Sequence, residues 1–155
     1  MLKRTFDIAC SLIGIIILLP VFIIISLLIV FDSRGGIFYL QIRVGKNNED
    51  FSLLKFRTMQ TDADKKGLLT VGNRDSRVTR VGYFLRKNKL DELPQLFNVL
   101  FGSMSLVGPR PEVRKYVSLY NHEQKKVLNV KPGITDYASI EYANENEILA
   151  KATNP

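Results

Sequence analysis

Ile8 to Phe31 is a run of 24 residues without a charged side chain. At about 1.5 Å of rise per residue, such a run reaches roughly 36 Å as a helix, enough to cross the hydrocarbon core of a bilayer. Lys3 and Arg4 precede it, as they would in a signal peptide. The run is too long for a signal core, however, and bulky Phe31-Asp32-Ser33-Arg34 stands where a small-residue cleavage site would be needed. An uncleaved membrane segment is therefore expected. Pro20 lies in its middle and removes a backbone donor, so a kink is expected there. Lys3 and Arg4 favour a cytoplasmic N-terminus, and the basic remainder of the chain favours the same side. A single crossing cannot satisfy both. A helix that enters, bends at Pro20 and leaves by the same face can; on charge and proline alone, both readings stand.

The charge balance narrows the partners. The chain carries a net charge of +7, and residues 43–115, with fifteen basic and eight acidic side chains, account for a surplus of that size. Such a block attracts anions: phosphorylated small molecules, an anionic membrane surface or nucleic acid. Cys10 is the one cysteine and His122 the one histidine, which excludes a disulfide framework and a Cys- or His-rich metal site. His122 reads as a surface residue. These features suit a protein facing the cytoplasm.

Gly35-Gly36 ends the apolar segment. Ile37 to Ile42 and Phe51 to Arg57, joined through Gly45-Lys46-Asn47-Asn48, read as a β-hairpin. Alternation puts Lys55 and Arg57 on one face and Phe56 on the other. The two cations form either a solvated strand face or an anion contact. Thr58 to Asp75 is polar and reads as a loop, with a short helix around residues 63–66. Arg74, Arg77 and Arg80 follow at spacings of three, along one side of a turn or as scattered surface charge. Val81 to Asn88 has helical character and ends in a basic turn.

Leu93, Leu96, Phe97 and Leu100 fall at helical spacing, which predicts an amphipathic helix over Glu92–Phe101. Pro94 fits only its first turn, so Asp91 falls at or beside the N-cap. Asp91 and Glu92 then have two readings. In one they start a helix, stabilising it by about 0.5–2 kcal/mol. In the other, the unpaired N–H groups of the helix start keep Asp91 ionised and favour a phosphate beside it. An ionised Asp can attack phosphorus, and a neighbouring carboxylate can hold Mg²⁺, which screens the repulsion between nucleophile and substrate.

Gly102 to Gly108 reads as a loop. Pro109-Arg110-Pro111 is stiff, and Pro111 keeps Arg110 out of the helical region, so its guanidinium is held at little entropic cost. It suits bidentate phosphate binding or, more plainly, an exposed turn. Pro111 is expected as the first residue of a helix over Glu112–Tyr120. Lys131 to Thr135 reads as a turn, and residues 144–155 as weakly helical.

Four motifs occur in order: Lys55-Phe56-Arg57-Thr58-Met59; Leu90-Asp91-Glu92-Leu93-Pro94-Gln95-Leu96-Phe97-Asn98-Val99-Leu100; Met104 to Glu112 as Met-Ser-Leu-Val-Gly-Pro-Arg-Pro-Glu; and Lys131-Pro132-Gly133-Ile134-Thr135. Together they resemble the bacterial sugar transferases, the monotopic phosphoglycosyl transferases that start glycoconjugate assembly. The likeness runs from the apolar segment to about Ile148. The resemblance implies an α+β fold in two parts: a re-entrant, Pro-kinked membrane helix over residues 1–34, and a small, mostly helical catalytic domain with a β-hairpin over residues 35–155. It implies transfer of a phospho-sugar from a UDP-sugar to undecaprenyl phosphate at the cytoplasmic face of the inner membrane. Asp91 would attack the β-phosphorus, releasing UMP, and the polyprenyl phosphate would attack the phospho-sugar left on Asp91. Glu92 would assist proton transfer or, with Asp91, bind Mg²⁺. Lys55, Arg57, Arg86 and Arg110 become candidates for phosphate binding, and Pro20 for the break in the membrane helix.

The chain departs from the family pattern in two places. Ala143 stands where family members often carry Arg, and the pattern usually continues some tens of residues past Pro155. A partial or inactive member is thus the second reading. A membrane-anchored basic module that binds anionic lipid or nucleic acid is the third. Phe56, Phe84 and Phe97 fall at apolar-periodic positions and read as core, not as stacking platforms, so nucleic acid is not an expected partner. The sugar is not legible in the sequence, and self-association stays open.

Overall fold

A computed structural model describes residues 2–61, 63 and 75–136. It has the mixed helix-and-strand composition expected, led by one long apolar helix, α1 (Leu2–Asp32), with Pro20 inside it. By length and composition α1 is able to cross a membrane. Strands β1 (Phe38–Val44) and β2 (Asp50–Phe56) follow as an antiparallel hairpin, with Tyr39 opposite Lys55 and Arg43 opposite Phe51. A 3-10 turn over Lys46–Asn48 joins them, and Asn47 and Asn48 there take positive φ. Asparagine tolerates that conformation better than most side chains.

Helix α2 (Arg80–Lys87) is capped by Thr79, whose hydroxyl accepts from the Gly82 amide. A second 3-10 turn, Leu90–Glu92, leads through Pro94 into α3 (Gln95–Phe101). Ile25, Ile29 and Phe22 of α1 pack with Phe56 of the hairpin and Leu85 of α2 in one core cluster, joined by Leu90, Leu93 and Phe97. The Phe22 ring lies 5.5 Å from Phe56 and 5.7 Å from Phe97, both tilted, a favoured aromatic arrangement. Phe56 and Phe97 are thus core as expected, but Phe84 is not: it is 56% exposed. A second cluster joins Leu53 to Val99 and Met104.

Gly82 fixes how closely α2 approaches the hairpin. A Cβ at this position would sit 2.7 Å from the Thr58 carbonyl carbon and closer still to its oxygen. Gly82→Ala is therefore expected to cost about 1–3 kcal/mol, the usual range for overpacking. Thermal unfolding in detergent reads it; an unchanged Tm would contradict the close approach.

Three expectations are corrected beyond α3. Ser105–Val107 (β3) and Gly133–Thr135 (β4) form a two-stranded parallel pair where a loop and a turn were expected. The helix expected over Glu112–Tyr120 is a single turn, α4 (Arg114–Val117), starting after Val113 and not at Pro111. A 3-10 stretch, Gln124–Asn129, precedes β4. Of the three spaced arginines, Arg77 is locked onto the Asp75 carboxylate at 2.5–3.0 Å, and Arg80 opens α2. Arg74, Ala143, most of the short helix expected around residues 63–66, and residues 144–155 lie outside the described residues.

Both ends of α1 are tied to the rest of the protein. At its start, Arg4 donates to the carbonyls of Val99 (2.5 Å) and Leu100 (2.8 Å) in the last turn of α3. Lys3 donates to Ser105 Oγ and to the Val107 carbonyl (3.2 Å). Asp7, buried, accepts from Ser105 Oγ (2.9 Å) and the Leu106 amide (3.2 Å). At its far end, Asp32 accepts from the Val81 amide at 3.0 Å, and Arg57 donates to the carbonyls of Ser33 (2.8 Å) and Arg34.

Candidate active site

The dyad does not sit where helix capping would put it. Lys89 adopts a left-handed conformation (φ 54°) and turns the chain into the Leu90–Glu92 3-10 turn. Pro94, not Asp91, stands at the N-cap of α3. Leu90 and Leu93 pack into the core on either side of the dyad. That anchoring holds Asp91 in the protein at 9% exposure. Glu92 is half-buried and takes a hydrogen bond from Lys55 Nζ at 2.8 Å.

Burial, more than the helix start, governs Asp91. Desolvation pushes its carboxyl above the ordinary value of 3.8, and the Glu92 charge adds to this; Lys55 and Arg86 pull the other way without prevailing. The sequence expectation of a carboxylate kept ionised by helix N–H groups is thus corrected: the hydrogen bond it gains is from its own amide. Glu92 goes the opposite way. Burial raises it, but the Lys55 ion pair and the charges of Arg110 and Lys89 outweigh that, leaving it below 4.5. The two neighbours are therefore unlike: a stable anion paired with lysine, and a desolvated carboxyl that binds its proton more tightly.

The structure sorts the candidate cations. Lys55 bridges to Glu92 and acts on both carboxylates. Arg86 donates from Nε to Thr58 Oγ1 at 2.9 Å; burial lowers its basicity and the Asp91 charge offsets this. Arg110 is exposed on its stiff segment, where its charge reaches Glu92 and its amide donates to Asp136 at 3.2 Å. Arg57 stands apart: its two Nη groups donate to the carbonyls of Ser33 and Arg34 at the end of α1, which gives it a structural task.

Arg43 was missed by sequence reasoning. On β1 it shares a face with Tyr39 and Gln41, beside Lys55 on β2. It donates to the Pro111 carbonyl and to Gln41 Oε1, each at 3.1 Å, and lies 3.6 Å from Glu112. It thereby ties the Arg110 segment to the hairpin, and its charge is felt with that of Glu92. The alternation of Tyr39, Gln41 and Arg43 was the available signal.

Asp91 and Glu92 are oxygen donors, as Mg²⁺ requires. Among the described residues no group of three acidic, His or Cys side chains forms a complete cage. Two carboxylates nonetheless fit this ion, which is usually held by one or two of them together with substrate phosphates and water.

Residues 1–154 match the family described as bacterial sugar transferase. The chain belongs to that family. A Bacillus subtilis relative, named as a candidate undecaprenyl-phosphate N-acetylgalactosaminyl 1-phosphate transferase, is 46% identical over 122 residues, 79% of this chain and 68% of that protein. A UDP-N-acetylgalactosamine-undecaprenyl-phosphate N-acetylgalactosaminephosphotransferase of Aeromonas hydrophila is 42% identical over 90% of this chain and 34% of its own length. An undecaprenyl-phosphate glucose phosphotransferase of Komagataeibacter xylinus is 42% identical over 89% and 27%. The chain thus spans about two thirds of the first relative, a third of the second and a quarter of the third. In this sugar transferase, the apolar α1 points to membrane association.

Proposed function

We propose that this sugar transferase moves a sugar-1-phosphate from a UDP-sugar to undecaprenyl phosphate through a covalent phospho-sugar on Asp91, as the first membrane step of polysaccharide biosynthesis. The observation that carries the reading is the unlike pair: a desolvated Asp91 beside a Glu92 held by Lys55, with Arg86 and Arg110 acting on them. An Asp91 oxygen attacks the β-phosphorus, and the bond from that phosphorus to the bridging oxygen breaks. UMP leaves with the bond's electrons. A phosphate oxygen of the polyprenyl acceptor then attacks the same phosphorus, and Asp91 departs as carboxylate. Desolvation favours the first step, because a poorly hydrated anion is a stronger nucleophile. Lys55, Arg86 and Arg110 offset the charge that builds on the phosphoryl oxygens. Mg²⁺ held by Asp91 and Glu92 would supply further charge neutralisation.

The names of the relatives differ in the sugar, so a panel of UDP-sugars is the appropriate assay. With Mg²⁺ and a donor but no acceptor, stoichiometric UMP release is expected, with labelled phospho-sugar retained on the protein. UMP release that strictly requires undecaprenyl phosphate would count against the two-step route.

The placement at the cytoplasmic face, with α1 re-entrant, rests on its two tied ends. A helix crossing a hydrocarbon core of about 30 Å cannot bring both ends to one domain on one side. In a Cys10→Ser background, cysteines placed at Leu2 and Ser33 should both be labelled from the cytoplasmic side. Labelling from opposite sides would sink re-entry.

A further inference from the structure

The start of α1 and the end of α3 build a surface that the transfer reaction does not use. Arg4 Nη2 and Lys131 Nζ both crowd Gly102: a Cβ there would lie 3.0 Å and 3.5 Å from them. Lys3 is one residue away and mostly exposed, and Lys46 is near enough for its charge to act on Lys131. Burial and the charges of Arg4, Lys46 and Lys3 weaken the hold of Lys131 on its proton, while Asp7 opposes them. Asp7 is already engaged by Ser105, Leu106 and Lys3. Four cations thus meet with one acid among them.

Large apolar side chains stand beside this collar. Phe101, the last residue of α3, is 81% exposed; Leu2 is 90% exposed, and Phe6 and Val107 also face outward. They belong to one patch, because Lys3 and Arg4 hold β3 and α3 against the first turn of α1. The patch is continuous with the exposed apolar side chains of α1, among them Ile13, Ile16 and Ile17.

We propose that this patch is a lipid-docking surface of the catalytic domain, with Phe101 inserted among acyl chains and the Lys3, Arg4, Lys46 and Lys131 collar seated on anionic phospholipid headgroups. Apolar side chains ringed by lysine and arginine are what an anionic interface selects, and each basic residue near such a surface adds to the attraction. A protein partner would more commonly meet an apolar patch without a one-sign collar at its centre, since interface cores are depleted of lysine. The collar also sits opposite in role to the dyad cations: Lys55 is neutralised by Glu92, whereas the collar has an excess of positive charge for an external anion to balance.

This proposal rests on α1 being embedded, and the experiment separates the two. The chain has no tryptophan, so each introduced indole is the only one. Full-length Phe101→Trp and Ile16→Trp are reconstituted separately into vesicles of phosphatidylcholine alone or mixed with phosphatidylglycerol, with brominated acyl chains as quencher. Ile16→Trp should be quenched in both. Phe101→Trp should be quenched at least twofold more strongly in phosphatidylglycerol vesicles, and Lys46→Gln with Lys131→Gln should abolish that difference. Quenching of Ile16→Trp without quenching of Phe101→Trp overturns the docking surface alone. Equal quenching of Phe101→Trp in both lipids, or an effect untouched by the two glutamines, overturns the headgroup assignment. Failure of Ile16→Trp to be quenched overturns the embedded helix itself, and this proposal with it.

Discussion

Asp91→Asn is expected to lower UMP release by on the order of 10³-fold or more, the scale on which loss of a nucleophile acts, while leaving the fold at least as stable as the parent. The second half follows from the direction in which Asp91 is shifted. Burial holds its carboxyl above 3.8, so in the pH window above that value the folded chain binds more protons than the unfolded one. Stability then falls as pH rises through the window, and at neutral pH the charged carboxylate is a cost to the fold. An amide of the same shape removes that cost. Function bought with local instability is a common pattern at reactive sites. Turnover and thermal unfolding should be measured in the same detergent. Parent-level turnover would remove Asp91 from the nucleophile's role, and a clearly lower Tm would make its carboxylate a structural group.

Lys55→Met is expected to lower kcat/KM by about 10- to 100-fold near neutral pH, the range for losing a hydrogen bond to a charged group. It should also move the acid limb of the pH profile. Lys55 is the largest influence pulling Asp91 down and, by charge and hydrogen bond, the main one lowering Glu92. Without it both carboxyls hold their protons to higher pH. The reaction needs Asp91 deprotonated, so activity is lost as pH falls through its value, and that loss should begin at higher pH in the variant. Lys55→Arg should restore part of the rate and the original limb. A uniform drop at all pH values would mean that Lys55 binds substrate without tuning the dyad.

The hairpin, α2 and α3 were legible because each is written locally, in alternation or in 3.6-residue spacing with turn residues between. Gly133-Ile134-Thr135 was not, since Pro132-Gly133 is a sound turn signal and β4 exists through a partner 28 residues upstream. Its pairing depends on Gly108 and Gly133 lying in contact, where a Cβ at Gly133 would come within 2.5 Å of the Gly108 carbonyl oxygen. No window of sequence contains that constraint. The dyad's position was legible as a motif and misjudged as geometry. Pro94 was correctly placed near a helix start, but the left-handed Lys89 inserts a 3-10 turn, and burial replaces the helix terminus as the main influence on Asp91.

The basic residues divide in a similar way. Charge counting could not tell Lys55, which meets the dyad, from Arg57, which closes the end of α1. It could not single out Arg43 either, whose place is set by strand register. Lys3 and Arg4 were read only as topology signals, although they also bind the end of α3 and β3.

Those last contacts carry a consequence for the order of assembly. Lys3 and Ser105 are 102 residues apart in the chain. At a synthesis rate of about 5–20 residues per second, the first turn of α1 waits roughly 5–20 s before its partners leave the ribosome. The far end of α1 waits less, since Arg57 and Val81 emerge earlier. The helix must therefore be accommodated by its surroundings before the domain that grips both its ends exists. Of the two ties, the clasp at Lys3, Arg4 and Asp7 closes second, joining the oldest part of the chain to residues made about 100 positions later.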